Sequence, residues 1–241
     1  MFQEPKEKLT STDSDESDRL WGQRLNALAT AQQDIFFVEI GAMDGVSFDP
    51  LYAVVMKYRW RGLLVEPLPD LFARLKENYK DATGVLFENA AIAEERGEKV
   101  MYRVAPQAVQ QGLVPPWAGG ISSFFLDKNA LGGKGVTDEA FKKILPHVIT
   151  ERVATDTLRA ILDRNHIKKI DVLQIDTEGY DFQVLRQFDF SIFKPVLIRM
   201  EECNLSDAEK TAAIKLFASH GYQSASTKMD RIAWRNMDKK S

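Results

Sequence analysis

Phe37-Val38-Glu39-Ile40-Gly41-Ala42-Met43-Asp44-Gly45 is the stretch on which the fold turns. It continues an apolar run from Ile35 that Glu39 alone interrupts and Gly41 ends. Such a run suits a central parallel strand covered on both faces. Gly41 and Gly45 let the backbone turn tightly and leave room for a ligand where a Cβ would stand. The stretch therefore reads as a buried strand running through a tight turn into a helix.

Outward from it, strand and helix alternate. Leu51 to Tyr58 is apolar and helical, and Arg61 to Glu66 carries a second buried strand. Leu71, Leu75 and Tyr79 mark the next helix, and Gly84 to Phe87 a third strand. After a long interruption come a helix over 155–165, a strand over 170–176 and a helix over 180–188. A strand over 195–200 and a helix over 206–219 follow, the latter opened by the Ser206/Glu209 capping box and closed by Gly221. Short connections between alternating elements are the mark of right-handed βαβ units, hence of a doubly wound α/β sheet. Segments 222–225 and 232–235 have no helix between them and are expected to close the sheet as an antiparallel hairpin.

Two regions break the pattern. Residues 1–18 are polar and acidic and are expected to form a disordered or weakly ordered lead. The rest, 19–241, reads as one domain, beginning with a capping helix that carries Leu20, Trp21, Leu25 and Leu28. Lys99 to Val104 is a short strand, and the Pro-, Gly- and Gln-rich chain beyond it reads as a lid inserted at about 105–150.

Composition excludes several classes. Apolar residues make up 44% and the formal net charge is −3, so no general affinity for nucleic acid or anionic membrane is implied. Cys203 is the single cysteine, which rules out an internal disulfide. The N-terminus lacks the apolar core of a signal peptide, and no window approaches the ~18 apolar residues of a membrane span. A cytoplasmic protein is the expectation.

In a doubly wound sheet, ligands bind beyond the carboxyl ends of the strands. Glu39 and Asp44 flank the first strand's end, Glu66 ends the second strand, and Asp176 ends the fourth. A dinucleotide would want three glycines and a helix start free of negative charge; here two glycines stand with Asp44 between them. S-adenosylmethionine carries an ammonium and a sulfonium, for which acidic groups are complementary. Glu66, 21 residues after Gly45, is placed to accept from ribose hydroxyls. A solvated Asp in an ordinary loop explains the turn alone equally well, and Glu66 tips the reading. Asn89, after the third strand, is a candidate for the adenine edge.

Taken together, residues 37–45, Leu64-Val65-Glu66-Pro67, Asn89-Ala90-Ala91-Ile92 and Val172 to Asp181 resemble, in order, the motifs of the FkbM family of methyltransferases. Val153 to Leu162 is similar to the segment that precedes the last of them. The resemblance implies a class I (Rossmann-like) methyltransferase fold with a seven-stranded sheet, the last strand antiparallel. It implies S-adenosylmethionine as cofactor and O-methyl transfer, commonly to sugars or natural products. Gln174 stands where the family usually has Lys and Asp181 where it has Glu, which places substrate and catalytic detail in question rather than the cofactor motifs.

Methyl transfer is an in-line displacement in which a hydroxyl needs a base or a metal. Asp176 and Glu178 are the first candidates, with His147, after Pro146 in the lid, a third. Trp117, Ser122, Ser123 and Glu201 are candidate acceptor contacts. An all-oxygen Mg²⁺ set from Asp176, Glu201, Glu202 and Asn204 is not favoured, because no tight spacing enforces it. His166 and His220 sit at helix ends, where a cation suits the dipole. The acceptor is expected to be a small molecule or glycan. The rival classes are a nicotinamide-dependent oxidoreductase on the same sheet and a methyltransferase-like binding module without turnover.

Overall fold

The structure, a computed structural model, describes residues 12–127, 131, 136–227 and 229–235. Helix α1 spans Thr12–Ala31, followed by β1 (Phe36–Ile40), α2 (Pro50–Tyr58), β2 (Arg61–Val65), α3 (Pro69–Asn78) and β3 (Val85–Glu88). Then come β4 (Ala91–Ile92), β5 (Gly97–Val104), α4 (Pro106–Gln110), β6 (Ser122–Ser123), α5 (Asp138–Ile144) and β7 (Val148–Asp156). The chain closes with α6 (Leu158–Arg164), β8 (Val172–Ile175), α7 (Asp181–Gln187), β9 (Leu197–Glu201), α8 (Asp207–Ser219), β10 (Gln223–Ser226) and β11 (Asp230–Trp234).

Seven strands form one sheet in the order β3-β2-β1-β8-β9-β11-β10, parallel except for β11, which runs antiparallel to both its neighbours. This is the expected class I architecture, with the closing hairpin at the edge. Chain order reverses at β1, which pairs with β2 on one side and β8 on the other. A doubly wound sheet opens its ligand crevice at such a switch point.

Alternation sorts the strand side chains between two cores. Phe37, Leu64 and Val172 pack with Trp21 and Leu25 of α1 and Leu51 and Val55 of α2. Val38, Leu63 and Leu173 pack with Leu158, Val184 and Phe217 of α6, α7 and α8. Helix α2 starts where Asp49 accepts from the N–H groups of Leu51 and Tyr52, with Pro50 in the first turn. The capping box of Ser206 and Glu209 opens α8 as read from the sequence.

The inserted region differs from the expectation of a loop. It carries a second sheet, β4-β7-β5-β6, in which β5 pairs antiparallel with β7 from Gly97↔Thr155 to Val104↔Val148. Val148 to Thr155 is rich in β-branched residues, which favour a pleated strand. The helix expected from Thr155 therefore begins only at Leu158, capped by the Thr157 hydroxyl. Between the paired strands, Val104, Ala108, Val114, Ala118, Val136 and Ile144 build a satellite core of their own. Arg103, 3% exposed, ties the unit to the main body through Asp70 at 2.6 Å and to β7 through Glu151 at 2.8 Å. At the other end, α1 begins at Thr12, inside the expected lead, while residues 1–11 lie outside the described residues.

Candidate functional site

Beyond the carboxyl ends of β1, β2 and β8 lies a cavity of about 810 Å³, roofed by the inserted unit. Gly41, at φ 86°, begins its floor. A Cβ there would lie 1.7 Å from the carbonyl oxygen of Asp176, so the glycine is demanded by the neighbouring strand end. The N–H groups of Gly41 and Ala42 both donate to the Val65 carbonyl, at 2.9 and 3.1 Å, fixing the floor to β2.

Glu39 lines the cavity at 2% exposure. Its Oε1 accepts from Gln174 Nε2 at 2.8 Å, and its Oε2 has no partner. Burial, then the nearby Asp49 and Asp176 carboxylates, push its acidity well above the usual carboxylate range. Glu66, 3% exposed, also lines the cavity. Its two oxygens accept from the N–H of Met43 (2.9 Å) and of Leu68 (2.8 Å), and burial pushes it up to about 8. Each carboxylate oxygen has a second lone pair, so these bonds leave acceptor capacity toward the cavity.

A second acidic group faces the same space. Oxygens of Asp176, Glu178 and Glu201 lie within 4.8 Å of one another. Asn204 Nδ2 donates to Glu178 at 2.9 Å and to Glu201 at 2.8 Å, so an amide N–H₂ stands between two of the three. Asp176 stands in the open cleft, its carboxylate reachable from the cavity yet ringed by protein. That desolvation, with Asp181 and Asp230 next, pushes it up to about 7. Burial first, then the mutual repulsion of the cluster, raises Glu178 and Glu201 well above their usual range. A carboxylate ionising near neutrality suits proton transfer.

The structure brings Glu39, Gly41, Glu66, Asp176, Glu178, Glu201, Trp117 and Ser122 to the cavity wall and leaves the other predicted residues off it. Asp44 turns into its own loop, where it accepts from the N–H groups of Val46 (3.0 Å) and Ser47 (2.7 Å) and from the Ser47 hydroxyl. Its charge therefore shapes the turn rather than facing a ligand. Gly45 meets Leu75 and Tyr79 of the α3 side, where a Cβ would lie 2.4 Å from Leu75 Cδ1. The Asn89 amide donates to the carbonyls of Glu66 and Pro67 at 2.8 and 3.0 Å, holding the end of β2 while its neighbours Ala90 and Ala91 line the cavity. Ser123, fully buried, donates its hydroxyl to the Glu178 carbonyl at 2.7 Å. His147 lies at the base of the inserted unit, where its carbonyl accepts from Ala105 N–H. Glu202 pairs with Arg231 at 2.7 Å and leaves the acidic cluster.

Gln174 touches the cofactor motif directly, against the expectation that its departure spared those motifs. Asp181, the other departure, is fully buried and accepts from the N–H groups of Thr177 and Gly179, closing the loop that carries Glu178. Asp49, Phe48, Tyr180 and Cys203 line the cavity without having been singled out. Asp49 was legible only as the residue before Pro50. Phe48, 74% exposed at φ 61°, gave no periodic signal at all. Among the described lining residues six are acidic and none is Lys, Arg or His.

The family model of the methyltransferase FkbM domain matches residues 39–224. Among solved structures, the chain is similar to the methyltransferase FkbM from Methylobacillus flagellatus KT, with 14% identity and a TM-score of 0.49. That match covers 84% of this chain and 44% of the other, so the chain spans less than half the length of that protein. It is also similar to the precorrin-6y C5,15-methyltransferase from Geobacter metallireducens GS-15, with 14% identity, 98% and 94% coverage and a TM-score of 0.44. A human methyltransferase 10 domain containing protein shows 10% identity, 92% and 82% coverage and a TM-score of 0.44. No curated protein sequence matches the chain.

Proposed function

The chain belongs to the methyltransferase FkbM family, and on that premise we propose that it is an S-adenosylmethionine-dependent O-methyltransferase. Its acceptor in this reading is a hydroxyl of a sugar, glycoconjugate or natural product. One observation carries the cofactor part: the cavity presents Glu39, with an unpartnered buried oxygen, and Glu66, and no basic side chain among the described lining residues. A pyrophosphate would meet no cationic side chain among the described lining residues, whereas an ammonium finds acceptors. Charge complementarity to the cofactor thus rests on Glu39 and Glu66, not on Asp44, whose carboxylate is taken up by its own loop.

S-adenosylmethionine supplies a methyl group already activated by its sulfonium. Glu39 Oε2 takes the ammonium of the amino-acid end, and the Glu66 carboxyl takes the ribose hydroxyls. Asp176 receives the acceptor's hydroxyl proton, its affinity for that proton kept high by burial and then by the Asp181 and Asp230 carboxylates. Trp117 and Ser122 reach the cavity from the inserted unit and bear on the acceptor. The inserted unit roofs the cavity and excludes water from the transfer.

Thermal shift with S-adenosylhomocysteine and with NAD tests the cofactor. The expected result is stabilisation by the first alone; stabilisation by NAD alone sinks the reading. Transfer of labelled methyl to a panel of glycans, giving a product stable to mild alkali, tests for a methyl ether rather than an ester.

A further inference from the structure

We infer that Trp21 is a positioning residue for Glu39, acting through the side-chain amide of Gln174. The inference rests on the reading of Glu39 as the partner of the cofactor's ammonium. Trp21 lies in α1, ahead of the residues that the family model matches, and is fully buried. Its indole Nε1 donates to Gln174 Oε1 at 2.9 Å. Gln174 Nε2 donates in turn to Glu39 Oε1 at 2.8 Å and reaches Asp49 Oδ1 at 3.3 Å.

The chemistry of these partners allows only one orientation of the amide. An indole nitrogen donates and cannot accept, so Gln174 Oε1 must face Trp21 and its N–H₂ must face Glu39 and Asp49. Turned over, the amide would set N–H against N–H at the indole and oxygen against oxygen at Glu39 and Asp49. Trp21 therefore works as a lock that presents the amide hydrogens to the two carboxylates. The sheet fixes the rest, since Glu39 of β1 and Gln174 of β8 are direct neighbours in register. With Oε1 held by the amide, Glu39 has its other oxygen, buried and without a partner, left over for a ligand. Helix α1 thereby contributes to ligand recognition without touching the ligand. Without the indole N–H, a buried Gln174 oxygen loses its donor, and rotation of the amide sets it against Glu39.

Calorimetric titration with S-adenosylhomocysteine and with 5′-methylthioadenosine, which lacks the amino-acid end, tests the relay. In Trp21→Phe the affinity for S-adenosylhomocysteine is expected to fall about tenfold, with 5′-methylthioadenosine unchanged within about twofold. Replacement of Trp21 by 3-benzothienylalanine keeps the bicyclic volume and removes only the N–H. It should give the same selective loss and covers the case in which the phenylalanine variant does not fold. In a Gln174→Lys background the ammonium donates to Glu39 in any orientation, so Trp21→Phe should no longer weaken S-adenosylhomocysteine. Equal losses for the two ligands, or an unchanged affinity for S-adenosylhomocysteine, overturn the proposal. If Glu39→Gln keeps the preference for S-adenosylhomocysteine over 5′-methylthioadenosine, the reading of Glu39 itself fails, whatever Trp21 does.

Discussion

Glu66→Gln separates two roles that the structure gives to one side chain. Both carboxyl oxygens accept a backbone hydrogen bond, from Met43 in the first turn and from Leu68 at the start of α3. A glutamine offers one acceptor oxygen, so one of those bonds is lost and one buried N–H faces an N–H₂. The lost bond is worth about 1 kcal/mol and the stranded N–H about 1–3 kcal/mol. For a chain of this size the sum of about 2–4 kcal/mol corresponds to a fall in Tm of roughly 4–16 °C. That loss reports only on the loop clamp.

The ligand role needs its own readout, so titrations compare adenosine with 2′,3′-dideoxyadenosine at about pH 9. At that pH the carboxyl, which burial raises to about 8, is mostly ionised. Hydrogen bonds to a charged carboxylate are worth about 1.5–3 kcal/mol, so the wild type should prefer adenosine by at least about tenfold. In Glu66→Gln that preference should shrink to about two- or threefold. A variant that melts lower and keeps the full preference would refute the reasoning, leaving Glu66 as a clamp and the ribose elsewhere.

Three further outcomes follow from the geometry. Gly41→Ala drives a Cβ to 1.7 Å from the Asp176 carbonyl oxygen at a left-handed φ, and should cost about 4 kcal/mol or more in urea unfolding; a cost under about 1 kcal/mol contradicts the close approach. Arg103→Met removes a buried guanidinium from Asp70 and Glu151, both of which can rehydrate, so about 2 kcal/mol is expected rather than the 3–5 kcal/mol of a fully buried pair. An unchanged urea midpoint would show that the inserted unit docks without it. Glu66, Asp176 and Asp49 are raised to about 8, 7 and 6, so their contribution to stability is full below their unfolded values and is lost as pH rises through that range. Melting without ligand should accordingly occur at lower temperature at about pH 8.5 than at about pH 5.5, and S-adenosylhomocysteine should narrow the gap; a Tm that rises with pH instead overturns the assignment.

The main sheet was legible because its signals are local and agree with one another. The run ending at Gly41, the capping box at Ser206 and the alternation of short strands with helices each point to the same architecture. The inserted sheet was not, because β5 and β7 pair across more than forty residues and β7 precedes α6 without a break. Pairing at that distance leaves no local trace beyond the β-branched character of 148–155. The site was legible in part, for a related reason. Strand-end position marks a residue as near the crevice but not which way its side chain turns. Glu39 and Glu66 turn to the cavity, whereas Asp44 turns to its own loop. Gln174 was flagged only as a departure from a family pattern, since its partner Trp21 lies 153 positions away.

The same geometry explains how so many carboxylates share one cavity without a cation among the described lining side chains. Burial makes each of Glu39, Glu66 and Asp176 hold its proton more tightly, which lessens their mutual repulsion without a nearby Lys or Arg among the described lining residues. An entering ammonium reverses that balance, because it favours the ionised form of whichever carboxylate it meets. Cofactor capture in the proposed reading is then an exchange of protons for a cation. Titration in buffers of different ionisation enthalpy should show proton release near neutral pH, and 5′-methylthioadenosine, without the ammonium, should release fewer protons than S-adenosylhomocysteine. Gly41 shapes the floor of the cavity, and in the proposed reading the acidic wall around it selects the charge of the ligand.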